Sequence, residues 1–360
     1  MYLKRFGLLL SVSLACFMFS DITHCEEPEG SLAVSEAPSK IPLHEVIVSH
    51  TDDNGVLQLY RMKENGADSR QLTQGSHHCV QPACSVDGEK LVYVQRRDKD
   101  MAIWRCDTNG KNAKVLVESE RLMLPSWLPD SKHIVWMSVG TVGRNQDPAS
   151  NSQIRILNTE TGASRRLFSH PEQIQFSNAM PSVSPDGTKV AFVSNRSGTF
   201  RIWVSRLDGS DAKPISPTPT EQHVKLKLPI EQKVPVWSSD GRWIAHWEGV
   251  EMIHMSPFTG VSNPIRDQQI AETFHVWVVD SKGGNRRKVG RGDDPTWSPD
   301  GFVTRAFPDP QRGGPKVMVE TKFGEKELPI VPPRQNWGRF TWLPRGVNQS
   351  GEEPSRSQEK

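Results

Sequence analysis

The sequence predicts an all-β fold, a six-bladed β-propeller of four-stranded antiparallel blades closed by pairing of its N- and C-terminal strands. Three observations predict it. A strand carrying one large side chain, followed by a tight turn, recurs through the chain. An apolar strand followed by a glycine turn recurs in the same register. The first and last stretches of the repeat region each supply the part of a blade that the other lacks.

The first motif reads Pro82-Ala83-Cys84-Ser85-Val86-Asp87-Gly88, and related runs begin at Pro125, Pro181, Pro235 and Pro295, the last being Pro295-Thr296-Trp297-Ser298-Pro299-Asp300-Gly301. A more eroded copy, Phe340-Thr341-Trp342-Leu343-Pro344-Arg345-Gly346, comes at the end. Successive prolines stand 43 to 60 residues apart, the length of a four-stranded blade with variable loops. In the turn, Asp bonds the backbone two residues on and Gly supplies positive φ. An apolar second strand follows each turn, as in Leu91-Val92-Tyr93-Val94 and Val190-Ala191-Phe192-Val193. Third strands recur at Leu59-Tyr60-Arg61, Ile103-Trp104-Arg105, Ile154-Arg155-Ile156, Ile202-Trp203-Val204, Val276-Trp277-Val278 and Val317-Met318-Val319. Each precedes a turn glycine, at Gly66, Gly110, Gly162, Gly209, Gly284 and Gly324, and then one apolar residue of a fourth strand.

Ring closure follows from the ends. Residues 45 to 73 supply strands two to four of a blade, and residues 339 to 343 supply a first strand with nothing after it. Pairing them completes the sixth blade and removes the open edges that would otherwise template aggregation. The propeller is expected over 43–346, with a polar, disordered tail over 347–360. Ahead of it, Lys4 and Arg5 precede an apolar run from Phe6 to Phe19, the layout of a secretory signal peptide over 1–25, followed by a linker over 26–42. That run is shorter than the ~20 residues a membrane-spanning helix needs. The expected location is therefore periplasmic or secreted, with a lipid-anchored form through Cys16 as the alternative.

Composition narrows the partners. The 360 residues include 27 Gly, 27 Pro and 11 Trp against 3 Tyr, a turn-dense chain with a Trp-dependent core. A formal charge of +2, without long runs of one sign, argues against nucleic acid and anionic membranes as main partners. Few cysteines argue against a disulfide framework. Cys84 fills the slot that holds Trp127, Trp237, Trp297 and Trp342 elsewhere. Cys106 lies two strands away at about 9.5 Å, beyond the ~7 Å limit for bridging, so free thiols are expected.

The Trp-Ser-Pro-Asp-Gly run at 297 to 301 and its relatives resemble the repeats of the TolB-like β-propellers, a WD-repeat-like group of bacterial envelopes. The resemblance covers about 43–346 and is specific for fold rather than function. It implies roles ranging from protein-binding hub to peptidase accessory domain to sugar-processing enzyme. TolB itself carries a small α/β domain before its propeller and contacts a peptidoglycan-associated lipoprotein. Residues 26–42 do not accommodate such a domain, so a TolB-like propeller other than TolB is expected.

Strand parity indicates where function sits. Turns after strands one and three fall on one face and are tight. Connections after strands two and four fall on the other face and carry the long segments 140–152, 217–234, 248–274, 307–315 and 331–339. Long loops on a rigid scaffold are where binding concentrates. Candidate binding residues on the connections leading into the inner strands are His77, His78, His170, His223, Arg291, Asp293, Asp294, Arg334 and Trp337. A ring mixing His, acid, Arg and an aromatic suits a polar ligand or a peptide. The four histidines show no sequence-local metal spacing, and nucleophile-elbow, zinc-protease and phosphate-loop motifs are absent. No catalytic residue, metal site or cofactor is therefore assigned. The functional expectation is a monomeric, non-catalytic, exported scaffold that binds an envelope or extracellular protein or peptide, or a polysaccharide. The alternative is a carbohydrate-active lyase or hydrolase with a His/acid site on the same face.

Overall fold

The computed structural model describes residues 43–97, 100–119, 121–139, 152–216, 230–250, 269–270, 272–309, 314–321, 324–328 and 340–344. Its strands form six four-stranded sheets, each an antiparallel meander. Blade 1 comprises β4 (His78–Cys84), β5 (Lys90–Arg96), β6 (Met101–Asp107) and β7 (Lys114–Ser119). Blade 2 comprises β8 (Leu122–Trp127), β9 (His133–Val139), β10 (Ser152–Asn158) and β11 (Ser164–Arg166). A short helix, α1 (Pro171–Ile174), precedes blade 3, which is β12 (Asn178–Val183), β13 (Lys189–Ser194), β14 (Arg201–Arg206) and β15 (Lys213–Pro214). Blade 4 is β16 (Ile230–Trp237), β17 (Trp243–Val250), β18 (His275–Asp280) and β19 (Arg287–Arg291). Blade 5 is β20 (Asp293–Trp297), β21 (Val303–Asp309), β22 (Gly314–Thr321) and β23 (Gly324–Leu328).

The sixth blade joins both ends of the propeller: β24 (Phe340–Trp342) pairs with β1 (Glu45–Thr51), followed by β2 (Leu57–Lys63) and β3 (Arg70–Gln71). The register is Val46 opposite Trp342, Ile47 opposite Thr341 and Val48 opposite Phe340. Trp342 packs with Val46, Val48, Met62 and the blade 5 residues Val317 and Val319. Leu343 packs on the other side with Ile47, Leu59, Cys79 and Leu91. The closing strand therefore cements blade 5 to blade 1 through its own blade.

The repeated motif acquires a physical explanation. The Ser85 hydroxyl donates to the Asp87 carboxylate at 2.5 Å and accepts the Lys90 N–H at 2.9 Å, tying the turn to the second strand. Ser184 and Asp186 repeat this in blade 3, and Ser238 and Asp240 in blade 4. Blade 2 has Leu128 in the serine's place, and there the Asp130 carboxylate accepts the Lys132 and His133 N–H groups directly, each at 2.9 Å. Gly88, Gly187, Gly241 and Gly301 take φ between 68° and 79° at the end of the turn, and Ser131 takes φ 51° in the same slot. The large inner-strand side chain links neighbours: the Trp127 indole donates to Ala83 O, and that of Trp297 to Val236 O, both at 3.0 Å.

Two details differ from the sequence reading. The recurring proline lies inside the inner strand rather than at its start. In all five blades that have it, the preceding residue (Gln81, Leu124, Met180, Val234, Asp294) takes φ between 47° and 56°, and the ladder shifts register there. A bulge leaves one backbone position unpaired, which is where a residue lacking an N–H is tolerated. The inner strands consequently begin earlier, so β16 takes residues 230–234 out of the expected long connection; separately, β21 takes 307–309 and β22 takes 314–315 out of another. In blade 4 the turn glycine with positive φ is Gly283, at 93°, not Gly284. A Cβ there would lie 2.8 Å from Ile215 O of blade 3.

Cys79, Cys84 and Cys106 are unpaired thiols. Burial pushes Cys84 and Cys106 each up to about 12 and raises Cys79 as well.

Candidate functional site: the long-connection face

In each antiparallel meander the turns after the first and third strands share one face, so the connections leading into first strands and those between second and third strands share the opposite face. Among the described residues, the longest such connection runs from β11 to β12 and holds α1. Its Phe168 is buried against Phe192, ring centroids 4.9 Å apart, which pins the connection to blade 3.

His77 is exposed on the connection into β4. His78 is the first residue of β4, and its Nδ1 accepts the Leu57 N–H of β2 at 3.0 Å. That bond puts the ring proton on Nε2 and ties blade 1 to the sixth blade. His170 is exposed just ahead of α1, where its carbonyl, not its ring, accepts the Gln173 N–H at 2.9 Å. Arg291 is exposed at the end of β19, opposite His275. Asp293 and Asp294 are half-buried within β20, with Asp294 on the bulge at φ 47°. His78, Asp293 and Asp294 are therefore strand residues rather than loop residues, because the bulge lengthens each inner strand upstream of its proline, and Arg291 is the last residue of the outer strand β19. Arg291, Asp293 and Asp294 stand together at the entry to blade 5. His77 and His78 stand at the entry to blade 1, and His170 at that of blade 3. His223, Arg334 and Trp337 lie outside the described residues. Among the described residues no group of three or more His, Cys, Asp or Glu side chains is placed to hold a metal ion. No described helix is long and apolar enough to cross a membrane.

The sequence reading missed a buried polar cluster between blades 3 and 4. The Gln232 amide donates to Glu248 Oε1 at 2.8 Å, and its side-chain carbonyl accepts the Ile202 N–H of blade 3 at 3.3 Å and the Ser216 hydroxyl. Glu248 also meets the Arg286 guanidinium and lies 3.7 Å from His246 Nε2. Arg286 stacks on Trp277 with its Cζ 3.5 Å from the ring centre. Nearby, Lys233 pairs with Glu231 at 3.1 Å, both buried. Burial pushes the His246 imidazole below its ordinary range, against the pull of Glu248. Burial alone would raise Glu248, but its contacts with His246 and Arg286 outweigh it and hold the carboxyl at about 2. His246 is fully buried, so it sets the blade seam rather than touching a substrate. One signal was available: His246 stands opposite the third-strand Trp277, where Tyr93 stands opposite Trp104 and Phe192 opposite Trp203.

Comparison with known proteins agrees with this architecture. The family model described as the lipoprotein LpqB β-propeller domain matches residues 58–201. The Tol-Pal system protein TolB of Bordetella pertussis is 27% identical over 181 residues, which cover 40% of this chain and 41% of that protein. An uncharacterized protein of Agrobacterium fabrum is 26% identical over 219 residues, covering 58% of this chain and 62% of its own length. The chain thus spans less than two thirds of these relatives. The crystal structure of TolB from Acinetobacter baumannii superposes with a TM-score of 0.62 at 18% identity, covering 84% of this chain and 67% of that one, a likeness of fold. By its repeats, its ring of six blades and these matches, the chain is similar to the TolB-like β-propellers.

Proposed function

We propose that the chain is a non-catalytic, exported binding propeller of the bacterial envelope that captures a protein or peptide segment on its long-connection face. The observation that carries this reading is the asymmetry of the ring: one face is built of short, internally bonded Ser-Asp and glycine turns, and the other bears the variable connections. Relatives named as Tol-Pal system proteins support an envelope setting. The residues proposed to meet the partner are His77, His78, His170, Arg291, Asp293 and Asp294, with His223, Arg334 and Trp337 added from the sequence.

The test is partner capture from an envelope extract with two variant sets. One set changes exposed His77, His170 and Arg291 to Ala, and a second adds His223, Arg334 and Trp337. The control set changes Val86, which is 57% exposed, and Arg242, both on the tight-turn face. Exposed changes of this kind stay within about ±0.5 kcal/mol of wild-type stability. A partner lost with the first sets and kept with the control supports the assignment. A partner that survives every long-connection substitution sinks it. Fractionation tests export separately, since the reading requires the mature chain outside the cytoplasm.

A further inference from the structure

We propose that Arg196, in the connection between β13 and β14, is the centre of a site for a peptide carboxylate. The site shares no residue with the partner-binding set proposed above, and its argument does not rest on that set.

The connection turns tightly, with the Gly198 N–H bonded to Asn195 O at 2.9 Å, and the Arg196 side chain folds back over blade 3. Its Cζ lies 5.1 Å from the Trp203 ring centre, 5.2 Å from those of Phe168 and Phe192, and 5.8 Å from that of Phe176. Four aromatic rings thus surround one guanidinium. Nε donates to Ser194 Oγ at 3.1 Å and Nη2 to Asn178 Oδ1 at 2.6 Å. Both acceptors are neutral, and a guanidinium carries five N–H donors, so among the described residues most of its hydrogen-bonding capacity is unused and no carboxylate pairs with its charge. Burial lowers its pKa, the signature of a desolvated cation, yet Arg stays protonated in proteins.

The chain contains its own control. In blade 1 the corresponding residue is Arg97, whose Nε donates to Gln95 Oε1 at 3.2 Å, the residue two before it, just as Arg196 does to Ser194. There a carboxylate completes the arrangement, with Arg97 Nη1 2.9 Å from Glu118 on β7. Glu118 stands opposite Ala102 at the start of the third strand. In blade 3 the outer strand is only Lys213–Pro214, and the matching place, beside Arg201, holds Ser216, whose hydroxyl is committed to Gln232. Among the described residues no carboxylate replaces it. The repeat shows which group answers this arginine, and the described residues of blade 3 do not supply it.

A carboxylate meeting Arg196 would gain more than one on open surface, because the rings exclude water and fix the guanidinium plane before binding. Ile174, 37% exposed and two residues from Phe176, offers an apolar contact nearby. That combination favours an acidic residue or chain terminus of a peptide over a hydroxyl-rich sugar acid.

The experiment titrates purified full-length protein with three synthetic peptides of one length. The first has a central Glu and an amidated end, the second a central Gln and a free C-terminal carboxylate, and the third a central Gln and an amidated end. One or both of the first two should bind about ten- to a hundredfold more tightly than the third, and which one does identifies the source of the carboxylate. Arg196→Gln should erase the difference, Arg196→Lys should keep part of it, and Arg97→Gln should leave it unchanged. Equal binding of all three peptides, an unaltered preference in Arg196→Gln, or stronger competition by glucuronate than by either carboxylate peptide would overturn the proposal. Should Arg196→Gln fail to fold, the Arg196 Nε–H resonance of the wild-type protein reports instead. Its movement with the carboxylate peptides supports the site, and a resonance that stays still refutes it.

Discussion

Trp342→Ala probes ring closure at its most concentrated point. Trp342 is buried to 8% exposure, lies edge-on to His44 and to Phe340 with centroids 5.8 Å away in each case, and pairs with Val46. Truncating a large buried aromatic costs about 3–5 kcal/mol. The indole Nε1 has no hydrogen-bond partner among the described residues, so its removal orphans no polar group, which places the loss near the lower bound, about 3 kcal/mol. Deleting the chain from Arg339 removes all of β24 and bares the β1 edge, where Val46 and Val48 are buried. That deletion should cost more than the point substitution and bring aggregation, against a total stability of about 5–15 kcal/mol for ordinary domains. Stopping at Val347 should change nothing. Urea unfolding, with light scattering for association, compares the four proteins. If the Arg339 truncation matched the Val347 truncation in midpoint and solubility, the composite blade would be wrong.

Further predictions concern the turns, the seam and the thiols. Ser131→Gly relieves a left-handed serine at φ 51° but loses a long 3.4 Å bond from the Asp87 N–H, so stability should rise by up to about 1 kcal/mol, whereas Gly241→Val, at φ 68°, should lower the melting temperature. The lowered folded-state pKa of His246 means the unfolded chain takes up a proton first as pH falls. Its contribution is therefore complete above the ordinary value of 6.5 and is lost below it, by up to about 1.4 kcal/mol per pH unit. Glu248 acts in a lower window, between its ordinary 4.5 and about 2, so His246→Phe should flatten the stability profile between pH ~5 and 6.5, while the contribution of His275, whose pKa burial also lowers, remains. An unchanged slope would show that His246 already titrates in the folded state as it does when unfolded. Cys84 and Cys106, held near 12, should resist maleimide in the native protein and react on unfolding, as mass-spectrometric mapping would show.

The parts of the fold legible in the sequence are those that demand particular residue types at fixed offsets. A Ser-Asp turn needs its hydroxyl, carboxylate and positive-φ residue in order, so the repeats announce six blades and the closing strand. The inner-strand bulge was not legible, because Gln81, Leu124, Met180 and Val234 have no preference for positive φ and adopt it at the register shift of the ladder. Neither were the seam residues. His246 and Glu248 read as ordinary members of a second strand, and only the approach of Gln232 and Arg286 makes them a cluster. The candidate face was legible by parity alone. Which of its residues converge across the ring is not encoded in any local pattern, and His77, His170 and Arg291 stand at the entries of three different blades.

The geometry of β24 has a consequence for attachment. Because it runs toward its turn and pairs antiparallel with β1, Leu343 N–H bonds Glu45 O at 3.0 Å, and the propeller's first and last residues emerge side by side. His44 reaches Asp300 of a Ser-Asp turn at 2.7 Å, which fixes that exit on the tight-turn face. Anything joined to either end of the ring starts from there. A tether, a lipid, a tag or a fused module would hold the ring by its back and present the opposite face, with its variable connections, away from the point of anchorage.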